Sequence, residues 1–243
     1  MVSLRLFIYF LAFGLLAAPV SADCRLALAL GLDISSSVDA AEDRLQRRGL
    51  ARALASPEVQ DALLSVPGQS VALAVFEWSG RYQQDVILPW RLVQTPGDLL
   101  SAALYIERSQ RSYTEFPTAI GYALGFAASV FKQAPPCLFQ TLDMSGDGIN
   151  NEGFTPEIAY RNFPLAEITV NGLVIGGGAD DLVGYYRREL IKGPGAFVEV
   201  AADFNDFERA MRRKLVRELE ARTIGSAPAP VGVGVGVGVA KEG

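Results

Sequence analysis

The sequence predicts an α/β domain, doubly wound, with a mostly parallel sheet, one antiparallel edge strand and helices on both faces. Three observations point there. Apolar runs of strand length alternate with segments of helical periodicity along most of the chain. Two of the runs, residues 26–32 and 137–144, pass directly into loops bearing aspartate and serine, as strands do at the carboxyl edge of an open α/β sheet. One pair of runs, 71–76 and 85–90, is separated by a turn-like Ser79-Gly80 and reads as a hairpin, which puts its second strand at an antiparallel edge.

The elements follow in order. The first strand ends in Asp33. An amphipathic helix occupies 38–55: Val38, Ala41, Leu45, Gly49 and Ala53 recur on one face, and Asp39, Glu42, Asp43, Arg44, Arg47 and Arg48 fill the other. Ser37 or a neighbour caps it. Pro57 and Pro67-Gly68 punctuate the segment before the 71–76 strand. Thr95-Pro96 starts a helix to about residue 107, with proline in its first turn. A polar loop over 109–117 leads to Thr118 and a helix over about 119–133, whose Gly121, Ala123, Gly125, Ala127 and Ala128 imply close packing on the sheet. A strand over 137–144, a loop over 145–151 and a helix over 155–162 come next. The 168–175 strand ends in Gly176, Gly177 and Gly178, and Asp180 or Asp181 caps a helix to about 191. A short strand over 197–200 and a charged helix over 204–222 complete the domain.

Residues 1–22 carry one cation, Arg5, then an apolar run over 6–18, and close on Val20-Ser21-Ala22. These are the features of a secretory signal peptide cut after Ala22, and the run is short for a bilayer span of ~20 residues. The expected organisation is a signal peptide over 1–22, one domain over 23–222, and a flexible Ala/Pro and Gly/Val tail over 223–243. The expected location is secreted or periplasmic, with no membrane span after cleavage. Losing Arg5 leaves 21 Lys+Arg against 27 Asp+Glu. The only basic run, Arg212-Arg213-Lys214, lies in a helix, so nucleic acid is not an expected partner. The two cysteines, Cys24 and Cys137, favour a disulfide in an oxidising compartment; two free thiols is the alternative. Each precedes an aspartate-bearing loop by one strand length, so in neighbouring parallel strands they meet at the end of the sheet away from the aspartates. The chain has no histidine, which excludes Ser-His-Asp and Cys-His catalysis and histidine-ligated zinc.

Three polar loops collect at the carboxyl edge: Asp33-x-Ser35-x-Ser37, the loop reaching Thr118, and Ser145-Gly146-Asp147-Gly148. They offer two carboxylates and three hydroxyls. Hard oxygen donors of this kind suit Mg²⁺ or Mn²⁺. The hydroxyls bind directly and the aspartates directly or through water, which leaves the cation electrophilic and open to a carboxylate from outside.

On those residues the chain resembles the von Willebrand factor type A domain with its metal-ion-dependent adhesion site. Asp33, Ser35 and Ser37 match the first loop of that motif, Thr118 with Gly121 the second, and Asp147 with Gly148 the third. Gly146 stands where the family usually has threonine, and Phe116-Pro117 where Gly-Gly often precedes the second-loop threonine. The signal sequence, Glu77-Trp78-Ser79-Gly80 and the third loop are similar to a group of secreted bacterial proteins of unknown function that carry such a domain. The resemblance implies metal ligands at Asp33, Ser35, Ser37, Thr118 and Asp147, and a protein partner presenting Asp or Glu.

Other readings compete residue by residue. Asp143, Ser145, Asp147 and Gly148 fit positions 1, 3, 5 and 6 of an EF-hand, but the twelfth position is Phe154 instead of a glutamate. Thr118 alone reads as an N-cap, and Asp147-Gly148 alone as a turn. The Gly176–178 turn lacks phosphate-loop spacing. Glu77, Asn150 and Asn151 are candidates for a ligand surface, with Trp78 equally suited to the core. The expected function is a metal-dependent protein-binding module and not an enzyme. The alternatives are a metal-dependent hydrolase whose base is Glu77, Asp143 or Asp147, and a structural envelope protein with a degenerate site.

Overall fold

A computed structural model describes residues 24–176 and 180–221; the signal peptide, Gly177, Gly178 and the tail lie outside the described residues. Six strands form one sheet in the order β3-β2-β1-β4-β5-β6, parallel except for β3. They are β1 (Cys24–Asp33), β2 (Ser70–Trp78), β3 (Gln84–Val93), β4 (Phe139–Gly146), β5 (Ile168–Ile175) and β6 (Val198–Ala201). Every residue of β1, β2 and β5 is buried, because helices cover both faces of the sheet. Among the described residues no helix is long and apolar enough to cross a membrane.

The alternation in β1 explains the two layers. Leu26, Leu28, Leu30 and Leu32 face one core, with helices α1 (Ala40–Ala55), α2 (Pro57–Leu64), α3 (Pro96–Arg108) and α7 (Phe207–Glu220). Ala27 and Ala29 face the other, with α4 (Ile120–Phe131), α5 (Pro156–Asn162) and α6 (Asp180–Tyr185). Bulk on one side and small residues on the other let α4, itself rich in alanine and glycine, lie close to β1. At Gly31 a side chain has no room: a Cβ would stand 2.7 Å from Phe76 and 2.8 Å from Met144.

The differences from expectation are local. Pro57 is the first residue of a helix, α2, capped by Ser56, and not merely a break. Of the caps expected for α1, Ser37 or a neighbour, the residue is Asp39, in a capping box with Glu42. Strand β4 starts at Phe139 and takes in Ser145 and Gly146, so the third loop begins at Asp147. Helix α6 continues as a π turn over Tyr186–Leu190.

Two interior networks fix the helices of the leucine face. The buried Arg25 guanidinium donates to the carbonyls of Ala62, Leu63 and Leu219, each at 2.8 Å, and so pins the C-terminal ends of α2 and α7. Lys214 of α7, fully buried, reaches Asp143 Oδ1 at 2.7 Å and Glu218 Oε1 at 2.6 Å. One cation thus serves two carboxylates. Burial pushes Asp143 up to about 7, with Lys214 opposing and Glu218 adding to the rise. A carboxyl that titrates higher folded than unfolded holds its proton more tightly in the fold. Its contribution is complete below the ordinary carboxylate range near 4 and is lost as pH rises through about 7. In chelator, the melting temperature is expected to fall between pH 5.5 and pH 8, and to fall less by about 2 °C or more in Asp143→Asn; equal slopes count against this account.

Cys24 and Cys137 form a disulfide with a Cα–Cα distance of 4.6 Å, across 113 residues of chain. It ties the start of β1 to the approach to β4, at the opposite end from Asp33 and Asp147. Converting both cysteines to serine is expected to cost about 2–5 kcal/mol in chemical denaturation, the usual range for a native disulfide.

Candidate metal centre

Asp33 is the last residue of β1 and is wholly buried. β1 and β4 are neighbours at the point where the strand order changes direction, the position at which α/β sheets open a crevice. Asp33 Oδ1 accepts the Ser35 N–H at 2.7 Å, so the chain turns at once after the strand. The turn puts Ser35 Oγ and Ser37 Oγ 3.1 Å apart, and Ser37 Oγ donates to Asp147 Oδ1 at 2.7 Å. Thr118 joins from the second loop. Its N–H donates to Asn151 Oδ1 at 2.9 Å, and its carbonyl accepts from the Asn151 N–H at 2.9 Å. Thr118 Oγ1 lies 3.4 Å from where a Cβ on Gly148 would stand. Asp33, Ser35, Ser37, Thr118 and Asp147 are therefore carried by three loops tied to one another.

Residues that sequence reasoning passed over hold these loops. Gln46 of α1 donates to the Asp33 carbonyl at 2.9 Å and accepts from Ser145 Oγ at 3.2 Å. Arg111 spans the first loop, donating to the carbonyls of Ile34 and Val38. Both act on backbone carbonyls far off in sequence, which no local pattern announces. Asn150 and Asn151 shape the loops: Asn150 Oδ1 accepts the Gly121 N–H at 3.2 Å, at the start of α4. The N-cap residue there is Ala119, which has no capping side chain, so Thr118 is not the cap and a neighbouring loop supplies an acceptor instead.

Glu77 requires a correction. It is 1% exposed and forms no part of a surface. Its carboxylate pairs with Arg47 at 2.5 Å and accepts the Ser112 N–H at 2.7 Å, while Arg47 also binds Asp43 and Ser109. It fastens the second loop from beneath. Trp78 is likewise core. As bases for hydrolysis, Glu77 and Asp143 are both buried in ion pairs. The EF-hand alternative meets a strand where a loop is needed: Asp143 and Ser145 lie in β4, and the Phe154 ring stacks on Tyr122.

Burial and the nearby Asp147 carboxylate push Asp33 up to about 7, against the lowering by hydrogen bonds from Ser35 and from the Asp147 backbone. Its Oδ2 is buried without a hydrogen-bond partner. Behind it lies the Tyr186 phenol, also buried and unpartnered, and held well above its usual range by burial and by Asp33 and Asp147. The site thus contains oxygen donors alone, two of them carboxylates, with Asp147 disfavouring the charge on Asp33. That donor set fits a hard divalent cation, which Ser35, Ser37 and Thr118 with Asp33 and Asp147 would hold.

The sheet order and layering are those of the von Willebrand factor type A fold, and solved structures agree. The proximal thread matrix protein 1 of the mussel byssus, in a form described as having a zinc-occupied MIDAS motif, superposes with a TM-score of 0.59 at 17% identity, over 82% of this chain and 48% of that one. A von Willebrand factor type A protein from Catenulispora acidiphila gives 0.57 at 17% identity, over 81% and 43%. BatB from Bacteroides thetaiotaomicron gives 0.50 at 19% identity, over 80% and 98%. The chain spans less than half the length of the first two. The chain belongs to the family described as Protein of unknown function (DUF1194), whose model matches residues 23–223. No curated protein matches the sequence.

The loop ties carry a prediction. Asn150→Ala and Asn151→Ala each lose a bond to a backbone N–H that secures α4 or Thr118. Each is expected to lower stability by about 1 kcal/mol in urea denaturation, as loss of a cap does.

Proposed function

We propose that this chain is a secreted or periplasmic protein-binding module whose site holds Mg²⁺ or Mn²⁺ and takes an Asp or Glu side chain from a protein partner. On this reading residues 1–22 are its signal peptide, 23–222 the binding domain and 223–243 a tail. The hydroxyls of Ser35, Ser37 and Thr118 and the carboxylates of Asp33 and Asp147 hold the cation, which supplies a positive centre for the partner's carboxylate.

One observation carries this reading. Five acidic side chains are buried among the described residues: Asp33, Asp43, Glu77, Asp143 and Glu218. Four of them are paired with a buried cation of the chain itself, Arg47 or Lys214. Asp33 has none, and it has Asp147 beside it instead. A buried carboxylate without compensation costs several kcal/mol, and an external divalent cation is the partner these oxygens suit.

The test is isothermal calorimetry and thermal melting with Mg²⁺ against chelator. Mg²⁺ at about 100 times its dissociation constant is expected to stabilise the wild type by ~2.7 kcal/mol, and Asp33→Ala is expected to abolish the effect. A wild type indifferent to Mg²⁺ and Mn²⁺ would refute the reading.

A further inference from the structure

The third loop has Gly146 where the resemblance implies threonine, and the structure supplies a reason. A Cβ on Gly146 would stand 2.6 Å from the Tyr186 hydroxyl, 2.8 Å from Asp33 Oδ2 and 3.4 Å from Trp78 Cζ2. Both oxygens therefore crowd the space that any side chain at 146 would need. Tyr186 opens the π turn after α6, and the Ile191 N–H returns to its carbonyl at 3.0 Å, five residues back. Such turns recur at functional sites. The tyrosine ring crosses a second glycine, Gly172 of β5, where a Cβ would meet its Cδ1 at 2.8 Å. Because Met144 pairs with Gly172 and Gly146 with Val174, the two glycines share one face of the sheet. They form a track along which the ring reaches from β5 to the end of β4.

At the end of that track the Tyr186 hydroxyl, Asp33 Oδ2 and Trp78 Nε1 are all buried with no hydrogen-bond partner. An unpaired buried polar group is costly, so two unpaired oxygens crowding one glycine, with a third unpaired group on the indole beside them, are not explained by packing. A carboxylate that holds a cation is commonly fixed by a donor on its far side. A phenol hydroxyl has the chemistry for that role: it donates, it is neutral, and here it lies within 3 Å of the same point as the free oxygen of Asp33.

We propose that Tyr186 is a positioning residue of the metal centre, its hydroxyl donating to Asp33 Oδ2 in the cation-loaded site and replacing, from the α6 side, the hydroxyl absent at position 146. The proposal rests on the cation reading above and deepens it. It assigns the glycine in the third loop to an exchange of one hydroxyl for another, delivered by a different element.

The test compares wild type, Tyr186→Phe, Gly146→Ser and the double variant, by calorimetry with Mg²⁺ alone and by thermal melting in chelator. Tyr186→Phe removes an unpaired buried hydroxyl, so its metal-free melting temperature is expected to equal or exceed that of wild type. Its Mg²⁺ affinity is expected to fall about tenfold. Gly146→Ser alone is expected to melt lower, for want of room beside Tyr186. The double variant is expected to regain stability over Gly146→Ser and affinity over Tyr186→Phe, because a serine hydroxyl then stands in the vacated space. Tyr186→Phe binding Mg²⁺ as tightly as wild type overturns the proposal and leaves the cation reading standing. A double variant as weak as Tyr186→Phe overturns the exchange of hydroxyls. A wild type that binds no Mg²⁺ removes both readings together.

Discussion

A carboxylate buried at the end of the central strand is the constraint around which this molecule is arranged. Asp33 sits where β1 stops between β2 and β4, at the one place where the sheet changes winding direction. A charge there is costly unless it is paired. The fold gives it hydrogen bonds from Ser35 and from the Asp147 backbone but no cation of the chain, and its Oδ2 has no hydrogen-bond partner. The loops then close over it: Ser37 onto Asp147, Thr118 onto Asn151, Asn150 onto the start of α4. The three loops form one polar cap over one buried anion.

The packing of the sheet makes that cap attainable. Leucine on one face of β1 and alanine and glycine on the other place the bulky helices on one side and a close helix, α4, on the other. Closeness of α4 brings its N-terminal end, and Thr118 just before it, down to the strand ends. The bulky side carries the fixed charges. Arg47 on α1 holds Glu77 and with it the second loop, and Lys214 on α7 holds Asp143. Ion pairs of this kind contribute little net stability when compared with apolar packing, but losing one partner is costly. They act here as fasteners that set where the loops stand.

Much of this was legible in sequence, and the exceptions share a cause. Strand β5 has the bounds expected from its apolar run, and the hairpin of β2 and β3 follows from Ser79-Gly80. The Asp-x-Ser-x-Ser segment, Thr118 and Asp147 could be grouped because each sits at a strand end or helix start, which periodicity reveals. Glu77 was misplaced because its partner, Arg47, lies 30 residues away on another element, and nothing local distinguishes a surface glutamate from one aimed inward. The alternative of Thr118 as the cap of α4 fails for the same reason: the acceptor comes from Asn150 in a different loop. Helix α2 was missed because Pro57 reads equally as a break or as a first helical residue. Sequence pattern reports what a segment does by itself, and these residues act across the sheet.

Gly146 is the instructive case. As sequence it is a departure from the motif and argues for a weakened site. As structure it is one of two glycines on a shared face, each placed where a side chain would strike Tyr186. A merely degenerate position tolerates many small residues, whereas this one has no space even for a methyl group without moving the phenol or the Asp33 carboxylate. A phenol that only filled the core would be better as phenylalanine, since its hydroxyl has no other partner. The combination of a forbidden side chain, an unpaired donor and an unpaired acceptor at one point makes sense when the two groups are complementary in the loaded site. On the proposed reading the apparent loss in the third loop is a change in which element supplies the hydroxyl, and the buried Asp33 at the end of β1 has the same use for a cation.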